Sequence, residues 1–139
     1  MDESNRKPAP TKRILLVDDD ERVLFVLAAS LRRLSVPCDI VTAQDGREAC
    51  RLLEASAFDL LVTDIRLPGI DGVTLTALVR QWAKQLPVVW ITAHGCVPVR
   101  EDAARLDVHR CLEKPVEVSE FRQVVLQAMA TPNGETPGG

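Results

Sequence analysis

Apolar residues fall into short, nearly continuous runs separated by longer segments of helical period. The runs are RILLVD (13–18), CDIVT (38–42), DLLVTD (59–64), PVVWIT (87–92) and HRCLEK (109–114). Most are dense in Val, Ile and Leu with little alternation, the pattern of strands buried on both faces in a parallel sheet. Between them, 21–34 repeats apolar positions at Val23, Leu27, Leu31 and Leu34, and 118–129 does so at Phe121, Val124, Val125 and Ala128. Both read as amphipathic helices. Weaker helices are predicted at 46–55, opened by Asp45-Gly46, at 73–85, opened after Asp71-Gly72, and at 97–106, where Pro98 fits a first turn. Strand and helix alternate from end to end. Right-handed crossovers then predict an α/β fold, a doubly wound parallel sheet with helices on both faces and a ligand site at the carboxyl ends of the strands.

Composition narrows the class. The 139 residues suffice for one domain, and 46% hydrophobic with 27% charged residues describes a water-soluble globule. Polar residues 1–12 are expected to form an N-terminal arm and the Pro/Gly-rich residues 131–139 a tail or linker stub, leaving 13–130 as the domain. No signal peptide or membrane-length apolar run is seen, so a cytoplasmic location without membrane contact is expected. A net charge of -3 and sparse aromatics argue against direct nucleic-acid binding. Cys38, Cys50, Cys96 and Cys111 lack C-x-x-C spacing and are expected to be reduced thiols rather than metal ligands or a disulfide framework.

Polar residues cluster at the carboxyl ends of the predicted strands: Asp18, Asp19 and Asp20 after the first, Asp64 after the third, Thr92 after the fourth and Lys114 after the fifth. Carboxylates crowded on one rim repel by ~1–4 kcal/mol per pair at 4 Å, which calls for a cation among them. An all-oxygen ligand set selects a hard ion such as Mg²⁺. Lys114 and Thr92 are suited to holding phosphoryl oxygens, and Asp64 to attacking phosphorus to form an acyl phosphate. Asp20 is better explained as the cap of the following helix, and Gly69, Asp71 and Gly72 as a turn. His94 and His109 read as surface residues.

Four motifs, VDDD (17–20), TDIRLPGIDG (63–72), WITAHG (90–95) and CLEKP (111–115), resemble the receiver domain of two-component response regulators over residues 13–130. The resemblance implies a flavodoxin-like five-stranded sheet of order 2-1-3-4-5. It implies Asp64 as phosphoacceptor, Asp18 and Asp19 as the acidic pair holding Mg²⁺, and the backbone carbonyl of Arg66 as a further metal ligand. Thr92 becomes the hydroxyl switch, Lys114 the phosphate-binding lysine, and Lys114-Pro115 a cis peptide. Such a domain is a signalling switch that catalyses only its own phosphorylation and dephosphorylation. Its expected partners are a sensor histidine kinase or histidine phosphotransfer protein and an output partner or effector domain. Dimerisation is expected through the face made by the fourth helix, fifth strand and fifth helix.

Two positions depart from the family pattern. Cys111 stands where the family usually carries the Tyr or Phe that swings inward on activation, so the coupling of Asp64 to output is expected to pass through the helix at 97–106. Position 107, glycine in many relatives, is Asp. Two rival functions are weaker: a haloacid-dehalogenase-type hydrolase, whose D-x-D-x-[TV] pattern fails at Arg22, and a docking-only pseudo-receiver, which does not need the intact acidic, hydroxyl and lysine set.

Overall fold

The computed structural model describes residues 11–130. The chain runs β1 (Lys12–Val17), α1 (Glu21–Leu31), β2 (Cys38–Ala43), α2 (Gly46–Ala55), β3 (Leu60–Asp64), α3 (Gly72–Trp82), β4 (Val88–Thr92), α4 (Arg100–Arg105), β5 (Arg110–Glu113) and α5 (Val118–Ala130). A 3₁₀ turn at Val97–Val99 precedes α4. The expected arm and tail lie outside the described residues except for Thr11 and Lys12, and Lys12 already belongs to β1, its N–H bonded to the carbonyl of Pro37 at 2.9 Å.

All pairings are parallel, and the five-stranded sheet has the order β2-β1-β3-β4-β5. Every residue of the central strands β3 and β4 is buried, while the edge strands β2 and β5 are only partly so. Alternation splits the core in two. Ile14, Leu16, Leu60, Val62, Val89, Ile91 and Leu112 pack on one face with Leu27 and Leu31 of α1 and Phe121 and Val125 of α5. Leu15, Val17, Leu61, Val88 and Trp90 pack on the other with Ala49 and Leu53 of α2, Leu75 and Val79 of α3, and Leu106. Burial of each such aliphatic side chain stabilises the fold by about 1.5–3 kcal/mol before chain entropy is set against it.

Three aspartates start three helices. Asp20, Asp45 and Asp71 sit at the N-caps of α1, α2 and α3, and their carboxylates accept from the amides of Arg22, Glu48 and Thr74. The expected helix at 97–106 is divided instead into the 3₁₀ turn, which holds Pro98, and a six-residue α4, and neither piece has a side-chain cap. The first helix ends at Leu31 rather than at 34, with Arg33 and Leu34 turning back on Ser30 and Leu31. The α4–β5 connection closes as a helix C-cap: the N–H of Asp107 bonds Ala104 and that of Val108 bonds Ala103, with Asp107 at φ +57°. Arg80 of α3 holds this turn from below, donating to the carbonyls of Leu106 (2.8 Å), Asp107 (3.3 Å), Leu86 (2.6 Å) and Ala83 (3.1 Å). No helix among the described residues is long and apolar enough to cross a membrane.

Candidate functional site

Parallel pairing brings the carboxyl ends of β1, β3, β4 and β5 to one edge: Val17 lies beside Thr63, Asp64 beside Ile91, and Thr92 beside Glu113. The residues that follow or end these strands therefore converge. Asp18 is fully buried, Asp64 is 5% exposed and Thr92 2%. Lys114 reaches across from the end of β5 and sets its ammonium 2.8 Å from Asp64 Oδ2 and 2.8 Å from Asp18 Oδ2. The Asp64 contact has hydrogen-bond geometry. The Asp18 contact is an ion pair without it, so this buried oxygen has charge compensation but no directed donor.

Burial pushes the Asp18 carboxyl above its usual range, and the nearby Asp64 adds to this, while Lys114 and the amide of Asp20 pull the other way without cancelling it. For Lys114, burial opposes the ammonium form, but the two close carboxylates, Asp18 and Asp64, outweigh it and raise the pKa above the ordinary lysine value. The site thus holds two buried carboxylates on one retained positive charge.

Carboxylate oxygens of Asp18, Asp19 and Asp64 all lie within 4.8 Å of one another, and Asp19 faces solvent. The all-oxygen set and the undirected Oδ2 of Asp18 fit a hard divalent cation. Arg66 is adjacent, its N–H donating to Asp64 Oδ1 at 3.2 Å. Asp20 stands apart as the α1 cap, its own N–H held by Asp18 Oδ1 at 2.8 Å. The hydroxyl of Thr92 accepts from the N–H of His94 at 3.0 Å, and Lys114-Pro115 is cis. His94 and His109 are both exposed.

Two contributions to the site were not anticipated from the sequence. Gly72, at the start of α3, packs so close to β3 that a Cβ there would run into the carbonyl of Asp64, and its N–H bonds the Ile65 carbonyl at 2.7 Å. Asp71-Gly72 signals a helix start in sequence; the close approach to Asp64 exists only in the fold. The second concerns the thiols. Cys38 and Cys50 are free, as expected, but Cys96 and Cys111 form a disulfide. Their sequence separation of 15 gives no local signal; the chain after β4 folds back over β5 and brings the Cα atoms to 5.9 Å. Cys111 lies beside Trp90 in the β4–β5 register, and the fully buried Trp90 donates through Nε1 to Thr76 Oγ1 at 2.9 Å.

Comparison with known proteins agrees with this geometry. The family described as the response regulator receiver domain matches residues 14–126. The chain is 35% identical over 125 residues to the transcriptional regulatory protein GlrR of Escherichia coli (strain K12), a match covering 90% of this chain and 27% of that protein. It is 34% identical over 112 residues to the sensor histidine kinase RcsC of Salmonella typhi, covering 81% of this chain and 12% of that protein. The chain therefore spans only about a quarter or less of the length of these relatives. Among solved structures, it is similar to a putative response regulator from Chloroflexus aurantiacus J-10-fl, with a TM-score of 0.80, 32% identity and coverage of 87% and 99% of the two chains. It is also similar to the signal receiver domain of an HD domain-containing protein from Pseudomonas fluorescens Pf-5, with a TM-score of 0.80, 29% identity and coverage of 86% and 95%.

Proposed function

The chain belongs to the response regulator receiver domain family, and on that premise we propose that Asp64 accepts a phosphoryl group from the phosphohistidine of a sensor kinase or phosphotransfer protein. The observation that carries this reading is the pairing of one ammonium, Lys114 Nζ, with two buried carboxylates at the strand ends, 2.8 Å from each. A carboxylate oxygen of Asp64 forms the new bond to phosphorus as the bond from phosphorus to the donor imidazole nitrogen breaks, and the imidazole takes up a proton. Hydrolysis reverses the state: water attacks phosphorus, inorganic phosphate leaves and the carboxylate returns.

Lys114 holds a phosphoryl oxygen, and Thr92 turns its hydroxyl from the His94 amide to donate to another. Asp18, Asp19, Asp64 and the carbonyl of Arg66 would hold Mg²⁺, which supplies neutralisation of the charge on the transferring group. The transition state is loose, so positioning and charge neutralisation carry most of the rate. The domain then works as a cytoplasmic phosphorylation-dependent switch. Its signal passes to an output partner or effector domain, with α4, β5 and α5 as the face for contact or dimerisation. The reading also assigns 13–130 as the receiver unit.

Incubation with acetyl phosphate and Mg²⁺ tests this. One hydroxylamine-labile phosphoryl group is expected by mass spectrometry, absent from a folded Asp64→Asn variant. Label retained in that variant, or found on Asp18, overturns the reading in favour of a hydrolase.

A further inference from the structure

We propose that Cys96 and Cys111 form a reversible thiol–disulfide site that gates the phosphorylation switch: the disulfide holds the β4–α4 segment on β5, and its reduction frees that segment to respond to Asp64. The proposal rests on the phosphoacceptor reading for what is gated, and on the cysteine pair itself for the gate.

The bond closes a loop over residues 97–110, which contains the 3₁₀ turn and α4. No residue of either piece is buried, and neither has a side-chain cap. Packing therefore holds this segment weakly. Arg80 clamps its C-terminal end through the carbonyls of Leu106 and Asp107. Its N-terminal end is tied to the sheet by Cys96. The loop is flanked by the two side chains that would grip a phosphoryl group, Thr92 four residues before Cys96 and Lys114 three after Cys111. A rearrangement that draws Thr92 towards Asp64 pulls on the chain leading to Cys96, and the disulfide transmits that pull to β5 instead of letting α4 move.

Both sulfurs belong to partly exposed residues, so small thiols and disulfides can reach them. Cys38 and Cys50 stand outside this chemistry: they are free, and burial raises both thiols. Disulfides that form in a reducing compartment are mostly transient or redox-sensing rather than structural, and a cytoplasmic receiver places this pair among those. The oxidant is a low-molecular-weight disulfide such as glutathione disulfide. One protein thiolate attacks a glutathione sulfur and expels a glutathione thiolate. The second protein thiolate then attacks the mixed disulfide at the protein sulfur and expels the other. Two protein thiols are oxidised, one glutathione disulfide is reduced to two glutathiones, and the protons pass to the released thiolates. A dithiol reductant runs the sequence backwards.

Because coupling between two sites is reciprocal, a disulfide that resists the phosphorylated arrangement must weaken phosphoryl binding by the same factor. The whole chain is equilibrated with glutathione disulfide or with dithiothreitol, freed of the small thiols, unfolded in denaturant, alkylated with N-ethylmaleimide and weighed. The expected result is two adducts when oxidised, on Cys38 and Cys50, and four when reduced. Beryllofluoride with Mg²⁺ is then titrated into each form while amide exchange is followed. The oxidised form is expected to bind at least about fivefold more weakly, the low end of typical coupling, with residues 97–106 unchanged, and the reduced form to change its protection there. Cys96→Ser and Cys111→Ser should each bind as the reduced protein does in both buffers. Four adducts in both buffers, or equal affinity and exchange in both redox forms, overturns the proposal. If the reduced wild type also refuses beryllofluoride while the adduct counts hold, the phosphoacceptor reading is what has failed, and the gating falls with it.

Discussion

Lys114 Nζ donates to Asp64 Oδ2 at 2.8 Å, spanning from the end of β5 to the end of β3, across the intervening β4. One side chain thereby ties the edge of the sheet to its centre and compensates a carboxylate that has little water. Lys114→Ala leaves Asp18 and Asp64 buried together without a counter-charge, and removing one partner of such a pair costs about 3–5 kcal/mol. Lys114 is itself partly exposed, so a loss of about 3 kcal/mol in chelator is expected by urea denaturation. Added Mg²⁺ should return part of it. A variant as stable as wild type in chelator shows that the carboxylates are not both ionised in the folded protein.

Magnesium itself should stabilise the wild type. An ion that binds only the folded state adds RT ln(1 + [L]/Kd), ~2.7 kcal/mol at a hundred times Kd. Asp19 is the exposed member of the acidic trio, so Asp19→Asn leaves the melting temperature in EDTA nearly unchanged while abolishing most of the rise in Mg²⁺. Identical wild-type melting curves in Mg²⁺ and EDTA mean that the three carboxylates do not form the metal site.

The strand ends were legible because β-structure has a fixed side-chain period and because buried parallel strands read as apolar runs. Asp18, Asp64, Thr92 and Lys114 thus fall on one rim from the apolar runs alone, and the structure brings the strand ends that carry them together. What sequence withheld depends on loops. The pairing of Cys96 with Cys111 needs the path of the chain after β4, which no periodicity encodes. The break at Val97–Val99 required weighing Pro98 and the missing cap against a continuing helical pattern. Gly72 looked like an ordinary turn residue because its constraint is a backbone carbonyl from another strand.

Asp107 is a non-glycine residue with positive φ. It occupies the left-handed position that ends α4, at φ +57°, where glycine is free of Cβ strain and Asp is among the better tolerated alternatives. Asp107→Gly should therefore change stability by less than about 1 kcal/mol, and Asp107→Val should lower it by about 1–2 kcal/mol. Chemical denaturation of the two variants checks the order, and a valine variant equal to glycine refutes the strain argument.

His109 provides a shallow pH dependence. Partial loss of hydration and the neighbouring Arg110 lower its pKa below the ordinary imidazole value. The folded state thus favours the neutral ring, and this contribution is complete above the unfolded pKa of about 6.5 and is lost as the pH falls through the lowered folded value. His109→Gln should flatten the decline in melting temperature below pH 6.5, by a small amount because the residue is largely exposed. A variant whose decline is as steep as wild type assigns that slope to the carboxylates instead.

Gly72 and Gly69 separate steric from conformational demands beside the same site. A Cβ at Gly72 would collide with backbone, the Asp64 carbonyl and the Ile65 Cα at 2.9 Å, so α3 must shift away from β3 to admit it. Backbone cannot swing aside as a side chain does, and overpacking of this kind costs about 1–3 kcal/mol. Because the Gly72 N–H bonds the Ile65 carbonyl at 2.7 Å, the displaced helix would pull on the residue that follows Asp64. Gly69 differs: it has φ +75° with nothing within 4 Å of its added Cβ, so an alanine there meets only the strain of a left-handed backbone, about 1–2 kcal/mol. Both alanine variants are therefore expected to be destabilised. Gly72→Ala should also slow acetyl-phosphate labelling of Asp64 by tenfold or more, since displacements of ~1 Å from a reacting geometry cost rates of that order or larger. Gly69→Ala should label at close to the wild-type rate. Equal labelling rates for the two variants would show that the approach of α3 to Asp64 does not position the carboxylate.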